Sequence, residues 1–132
     1  MPHLTIEYSA NLRDSGRVAQ LCEALGKTLA AQTADGKAVY PLGGIRVRAY
    51  AADTWYIANG ATDNAFVHLS LKVAAGRPEA TRKATGDALF DVLKAHFAEQ
   101  FEQHGLALSL DIAEFGESGT WKHNNLHARL NP

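Results

Sequence analysis

The amino-acid sequence predicts an α/β (α+β) fold in which a four-stranded mixed sheet is backed by two helices. Four segments alternate apolar and polar residues, with the period of two that a half-buried strand requires. Two longer segments repeat apolar residues every three or four positions, as an amphipathic helix does. The elements follow one another as strand-helix-strand twice. We therefore expect a single domain, residues 1–132, made of two similar halves at about 1–60 and 61–132.

The first half begins with a strand, because Leu4, Ile6 and Tyr8 alternate with polar residues. The helix that follows has one apolar face, and its pattern stops at Asp35-Gly36; the face is formed by Val18, Leu21, Cys22, Leu25 and Leu29. Residues 45–50 form the second strand. Its alternation places Arg46 and Arg48 together on the face opposite the aliphatic residues.

The second half repeats this order. Residues 66–73 alternate as a third strand, and Gly76-Arg77-Pro78-Glu79 is typical of a helix start. A long second helix is predicted to end at Gly105 as a C-terminal cap, with a buried stripe formed by Leu89, Phe90, Leu93, Phe97 and Phe101. Residues 106–112 alternate as the fourth strand.

The two faces of the predicted sheet differ in character. Right-handed crossovers place both helices on the aliphatic face. The other face is left uncovered and is polar over much of its area, since it presents Thr5, Glu7, Arg46, Arg48, Phe66, His68, Ser70, Ser109 and Asp111. Such a face indicates contact with other subunits or with a ligand.

Composition excludes several classes of protein. Thirteen basic and fourteen acidic residues give a net charge of −1, which argues against nucleic acid or an anionic membrane as a partner. No apolar stretch approaches the roughly 20 residues that span a bilayer, and the first residues do not resemble a signal peptide. We therefore expect a cytoplasmic protein. Cys22 is the single cysteine, so an internal disulfide and a multi-thiolate metal site are excluded.

Pro2 is a candidate proton carrier. Because proline is small, Met1 is expected to be removed, which would leave a free secondary amine. An α-amino group has a pKa of about 7.7–8.0, and both partial burial and a nearby cation lower that pKa. A neutral amine at physiological pH can accept a carbon-bound or enolic proton. The alternative interpretation is that Pro2 simply begins a strand, where its missing N–H is harmless.

Three arginines are candidates for binding a polycarboxylate. Arg46 and Arg48 lie on one strand face, and Arg77 lies between a strand end and a helix start. Guanidinium groups match carboxylates with paired hydrogen bonds. In the alternative interpretation, each arginine forms an ion pair with Glu7, Asp111 or a surface carboxylate.

Five blocks carry a resemblance to a known family over nearly the whole chain. They are MPHLTIEYSANL (1–12), PLGGIRVR (41–48), DTW (53–55), FVHLSLK with the following Gly76-Arg77 (66–77), and KHNNLH (122–127). In this order and spacing they resemble 5-carboxymethyl-2-hydroxymuconate isomerase. The resemblance implies the tautomerase superfamily fold, a homotrimer and an amino-terminal proline, here Pro2, as catalytic base. It also implies substrate binding by Arg46 and Arg77, while Arg48 matches the motif's second arginine.

The function implied is isomerisation of a 2-hydroxymuconate-type dienol to its conjugated keto tautomer, in the breakdown of aromatic acids. No metal or organic cofactor is expected, because an amine carries the proton and arginines meet the charge. Two alternatives stay open: a non-catalytic trimeric binding protein, or a dehalogenase, hydratase or decarboxylase acting on a related unsaturated acid. Residues 32–40 form a longer connection than is usual in the family, which we expect to lengthen a surface loop.

Three histidines outside this set have simpler interpretations. His123 and His127 have a spacing that suits metal on a helix, but no acidic or cysteine partner accompanies them, so we expect contacts that dock the terminus. His68, on the uncovered face, is expected to be a hydrogen-bonded interface residue.

Overall fold

A computed structural model describes residues 1–130 of the chain. Its helices and strands follow in the order β1 (His3–Ser9), α1 (Val18–Ala30), β2 (Thr33–Ala34), β3 (Lys37–Ala38), β4 (Arg46–Ala52), β5 (Ala65–Ala74), α2 (Glu79–His96), α3 (Ala98–Gln103), β6 (Leu106–Phe115) and α4 (Leu126–Leu130). Short 3-10 turns lie at Ala10–Leu12, Leu42–Gly44 and Glu117–Gly119. Both predicted helices and all four predicted strands are present, and their ends differ by a few residues except at the end of the second helix.

The main sheet has the strand order β4-β1-β5-β6. β1 pairs in parallel with β4, β5 pairs in parallel with β6, and the central pair β1 and β5 is antiparallel. The sheet is therefore mixed and is built from two β-α-β units, as predicted. The parallel register sets His3 beside Arg46. It therefore brings the two arginines of β4, Arg46 and Arg48, next to the start of the chain.

The core lies between the sheet and its helices. Alternate residues of the two central strands are fully buried, among them Leu4, Ile6, Leu69 and Leu71. The apolar stripes of the two helices pack against these residues. They comprise Leu21, Leu25 and Leu29 on α1, Leu89 and Leu93 on α2, and Phe97, which follows α2. At about 25 cal/mol per Å² of apolar surface, this burial is the main stabilising contribution to the fold.

The prediction of one long second helix is wrong at its end. The chain leaves helical geometry at Phe97 (φ −105°, ψ 17°), where the ring is fully buried, and a separate short helix follows. Because the helical period is interrupted there, Phe101 does not continue the stripe and is 60% exposed. Gly105 does not cap the helix either: the cap residue is His104, in an extended conformation, and Gly105 packs against Asn64.

Residues 32–40 are more ordered than the surface loop that the sequence predicted. β2 and β3 pair as a hairpin whose turn residues, Asp35 and Gly36, have positive φ values of 52° and 75°. Asp-Gly favours this two-residue turn, because both positions need left-handed backbone. The hairpin leads directly into Tyr40, which is 1% exposed and belongs to the core.

The uncovered face of the sheet is as polar as predicted. His68 binds Ser109 (Nδ1 to Oγ, 2.6 Å) and lies 3.3 Å from a carboxylate oxygen of Asp111. His68 is thus hydrogen-bonded, as expected, within its own chain. Among residues 1–130, no helix is long and apolar enough to cross a membrane.

Candidate active site

The start of the chain is held against the turn that precedes β4. The backbone N–H of Arg46 donates to the carbonyl of Pro2 at 3.1 Å, and Pro2 is buried. Gly44 lies against the first two residues: a Cβ there would be in ordinary van der Waals contact, 3.4 Å from the Met1 Cα and 3.6 Å from the Pro2 Cδ. With Met1 in place the proline nitrogen is an amide, so its basicity depends on removal of that methionine.

Arg46 and Arg77 are held by backbone carbonyls. The Arg46 guanidinium donates to the carbonyls of Gly43 (3.4 Å) and Gly44 (3.0 Å). The Arg77 guanidinium donates to the carbonyls of Ala74 and Val39, both at 3.2 Å. Within residues 1–130 neither arginine is ion-paired with a carboxylate. The alternative expectation of pairing with Glu7 or Asp111 is therefore wrong for these two side chains.

Arg48 has a different position. Its guanidinium contacts the Nδ1 of His3 at 2.8 Å, on the uncovered face of the sheet. Partial burial, followed by the charges of Arg48 and Arg46, lowers the pKa of His3. A neutral imidazole can accept a hydrogen bond from a guanidinium, which is consistent with this contact.

Positive charges gather around the terminal amine. Partial burial, followed by the charges of Lys122, Arg77 and Arg46, lowers the pKa of the Met1 amine from its ordinary value of 8.0. Both burial and like charge disfavour the protonated form. The structure therefore brings two of the predicted arginines within electrostatic reach of the amino terminus, and it adds a lysine that sequence reasoning did not identify as a site residue.

One cleft opens at this terminus and a second lies beside Arg46, and neither is lined by Pro2 or Arg77. One, of about 380 Å³, is lined by Met1, His3, Lys72, Phe115, Gly119, Thr120, Trp121 and Lys122. The other, of about 360 Å³, is lined by Arg46, His123, Asn124, Asn125 and Leu126. A larger cleft of about 660 Å³ lies between α2 and β6 and contains none of the predicted site residues. The larger cleft has acidic as well as basic lining residues, whereas the two smaller clefts have basic residues and no carboxylate, so they are the better match for an anionic substrate.

The C-terminal segment closes one side of the site. The Asn124 side-chain amide donates to the carbonyl of Gly43 at 3.2 Å, the same carbonyl that accepts from Arg46. α4 packs on this turn so closely that a Cβ on Gly43 would lie 2.8 Å from the His127 backbone nitrogen. The expected docking contact thus holds for His127. No group of three or more potential metal ligands from His, Cys, Asp and Glu occurs in the described part of the chain.

Known proteins match almost the full length of the chain. A family model described as 5-carboxymethyl-2-hydroxymuconate isomerase matches residues 2–130. The chain is 41% identical over 128 residues to the 5-carboxymethyl-2-hydroxymuconate Delta-isomerase of Escherichia coli, covering 97% of this chain and 98% of that protein.

Solved structures agree. A 5-carboxymethyl-2-hydroxymuconate isomerase from Deinococcus radiodurans R1 superposes with a TM-score of 0.91 at 48% identity, covering 99% of this chain and 95% of that one. A 5-carboxymethyl-2-hydroxymuconate delta-isomerase superposes with a TM-score of 0.92 at 32% identity, covering 100% of this chain and 94% of that one.

Proposed function

The chain belongs to the 5-carboxymethyl-2-hydroxymuconate isomerase family, and from this premise we propose that Pro2, once Met1 is removed, carries the proton of the reaction. The enzyme is an isomerase, and we infer that its substrate is 5-carboxymethyl-2-hydroxymuconate or a closely related 2-hydroxymuconate. The proposed substrate-binding residues are Arg46 and Arg77. Arg48 acts from the next outward-facing position on β4, through its contact with His3.

The proposed chemistry needs one base and no co-reactant. The neutral Pro2 amine accepts the enolic proton of the dienol and becomes an ammonium. The ammonium then returns a proton to a carbon of the conjugated chain, which yields the keto tautomer with all atoms balanced. The amine must be neutral before the first transfer. Burial and the cations that lower the pKa of the Met1 amine also surround the residue next to it. After Met1 is removed they would favour the neutral form of the Pro2 amine in the same way, which supports this role.

The arginines suit the charge of such a substrate. A 2-hydroxymuconate carries carboxylates, and negative charge moves toward the enolic oxygen as its proton leaves. Arg46 and Arg77 keep their charge available, because backbone carbonyls orient them without neutralising them. Donors that are oriented in advance stabilise developing charge without reorganising during the reaction.

We propose that the enzyme assembles as a homotrimer through its uncovered sheet face. That face carries accessible polar side chains over its whole width, from Arg48 on β4 to Asp111 on β6. The outer strands β4 and β6 also have unpaired edges, which a lone subunit leaves open. Closed rotational symmetry would pair these surfaces without leaving a free edge.

The observation that carries the proposal is the cluster of unneutralised cations around the amino terminus. The test is an ultraviolet assay of purified enzyme with a panel of 2-hydroxymuconates, after intact-mass measurement has verified loss of Met1. We expect turnover that is fastest with the carboxymethyl-substituted dienol. If the trimeric enzyme without Met1 turned over none of these 2-hydroxymuconates, the proposed substrate class would be refuted. The assignment of the fold would not be affected.

A further inference from the structure

Tyr40 lies directly beneath one of the proposed substrate-binding side chains. The central carbon of the Arg77 guanidinium is 4.8 Å from the centroid of the Tyr40 ring, a cation–π distance. The adjacent residue contributes as well, since the Val39 carbonyl accepts from the Arg77 Nη2 at 3.2 Å. Two consecutive residues thus contact the same guanidinium.

The ring is fixed in place by the core. Tyr40 is 1% exposed, and its hydroxyl is 3.0 Å from the Oγ1 of Thr85 on α2. The Thr85 hydroxyl donates in turn to the carbonyl of Thr81 at 3.1 Å. A hydroxyl that is buried and bonded in this way holds the ring in one orientation. The surface beneath Arg77 is therefore rigid.

The contacts leave part of the guanidinium available. Of its five N–H donors, two are used by the carbonyls of Ala74 and Val39. The tyrosine ring lies over the guanidinium and requires none of them. About three donors are left for an anion. A side chain that would otherwise be mobile is restrained while its capacity to bind a carboxylate is kept.

We propose that Tyr40 is a positioning residue for Arg77, and that the hairpin of residues 32–40 is the element that delivers it. This inference rests on the proposed function, because it assigns to Tyr40 the aiming of a substrate-binding arginine. It also gives the long connection a role: β3 leads through Val39 into Tyr40, so two of the three contacts to the Arg77 guanidinium come from the end of that segment.

The test compares two substitutions at this position. Tyr40→Leu removes the ring and keeps apolar bulk, while Tyr40→Phe keeps the ring and loses only the hydroxyl. We expect kcat/KM to fall about threefold to thirtyfold in Tyr40→Leu, the range of a partly desolvated cation–π contact, and to be largely restored in Tyr40→Phe. Phe97→Leu is the matched control: it removes an equally buried ring that has no cation–π contact with an arginine among residues 1–130, so it should lower the melting temperature with little change in kcat/KM.

Two further readouts separate positioning from general damage. In an Arg77→Ala background, Tyr40→Leu should have almost no further effect on kcat/KM, because its target is absent. Independently of activity, the Arg77 side-chain NMR signals should carry a ring-current shift that is lost in Tyr40→Leu and kept in Tyr40→Phe. If that shift survives Tyr40→Leu, or if the two mutations add fully, Tyr40 does not position Arg77. A wild-type enzyme with the shift but without turnover would count against the proposed function alone.

Discussion

At the scale of single residues, Arg46 and Arg77 have backbone carbonyls as partners, whereas Arg13 and Arg82 pair with carboxylates. If they meet the substrate's charge, Arg46→Ala and Arg77→Ala should each lower kcat/KM at least tenfold, about 1.4 kcal/mol of transition-state binding. Arg13→Ala is the control, since Arg13 pairs with Asp53 on the surface. Near-normal turnover in both site variants, with the trimer intact, would make these arginines structural.

Lys122 provides a prediction about pH. After burial, the charge of Lys122 contributes most to the lowered pKa of the Met1 amine, and we expect it to act in the same way on the Pro2 amine of the processed enzyme. If the neutral amine is the active form, activity is lost as pH falls through that lowered pKa. Removing a positive charge raises the amine pKa, so Lys122→Met should move the acidic limb of the kcat/KM profile to higher pH.

The control for this shift is Lys83→Met, which removes an exposed lysine paired with Asp87 on α2. Its profile should match that of the wild type. An acidic limb that stays in place in Lys122→Met would mean that the limb reports another group.

The places of the arginines in the fold could be predicted from sequence, and the place of Lys122 near the amino terminus could not, for a physical reason. Alternation along a strand assigns Arg46 and Arg48 to a face, and a strand-to-helix junction locates Arg77. Lys122 lies in a stretch outside any helix or strand, between the turn at Glu117–Gly119 and α4. No periodicity there indicates that the chain returns to the amino terminus. The available signal was its place in the block KHNNLH that carried the family resemblance.

At the scale of elements, the turn Leu42–Gly44 joins the C-terminal segment to the site. The Gly43 carbonyl accepts from Arg46 and from Asn124, and α4 lies against the Gly43 Cα. Gly43→Ala would place a methyl group 2.8 Å from the His127 backbone nitrogen. Overpacking of this kind costs about 1–3 kcal/mol, so we expect faster amide hydrogen exchange in α4 and a lower kcat/KM.

Gly116→Ala is the matched control, because nothing lies within 4 Å of the added Cβ and the backbone there is extended. Unchanged exchange in α4 of Gly43→Ala would mean that this helix does not depend on the close contact.

Strands and helices could be predicted from sequence where the regular spacing of apolar residues matched the backbone without interruption. The prediction failed where the backbone departed from that spacing. The four strands of the main sheet and both long helices follow from alternation and from apolar stripes. The break at Phe97 does not, because Phe97 continues the apolar stripe in the sequence and nothing in the pattern marks the change of backbone angles there. Extending the stripe across the break assigned Phe101 to the core. The hairpin at 33–38 could have been inferred from Asp35-Gly36, but its strands are only two residues long and exposed, so no alternation marks them.

At the scale of the whole molecule, the uncovered sheet face leads to a prediction about assembly. Polar side chains on that face and the unpaired edges of β4 and β6 favour burial between copies. Light scattering at micromolar concentration should therefore report three times the 14.2 kDa chain mass. A monomer under those conditions would contradict the proposed assembly.

The central claim is that the Pro2 nitrogen, as a free secondary amine, carries the proton. The most direct test compares two preparations of the same sequence, one processed and one made with methionine aminopeptidase inhibited so that Met1 is retained, each verified by intact mass. In the retained form the proline nitrogen is an amide and cannot accept a proton, so that preparation should be inactive while folding and assembling normally. If the Met1-retaining enzyme turned over substrate as fast as the processed enzyme, proline could not be the base.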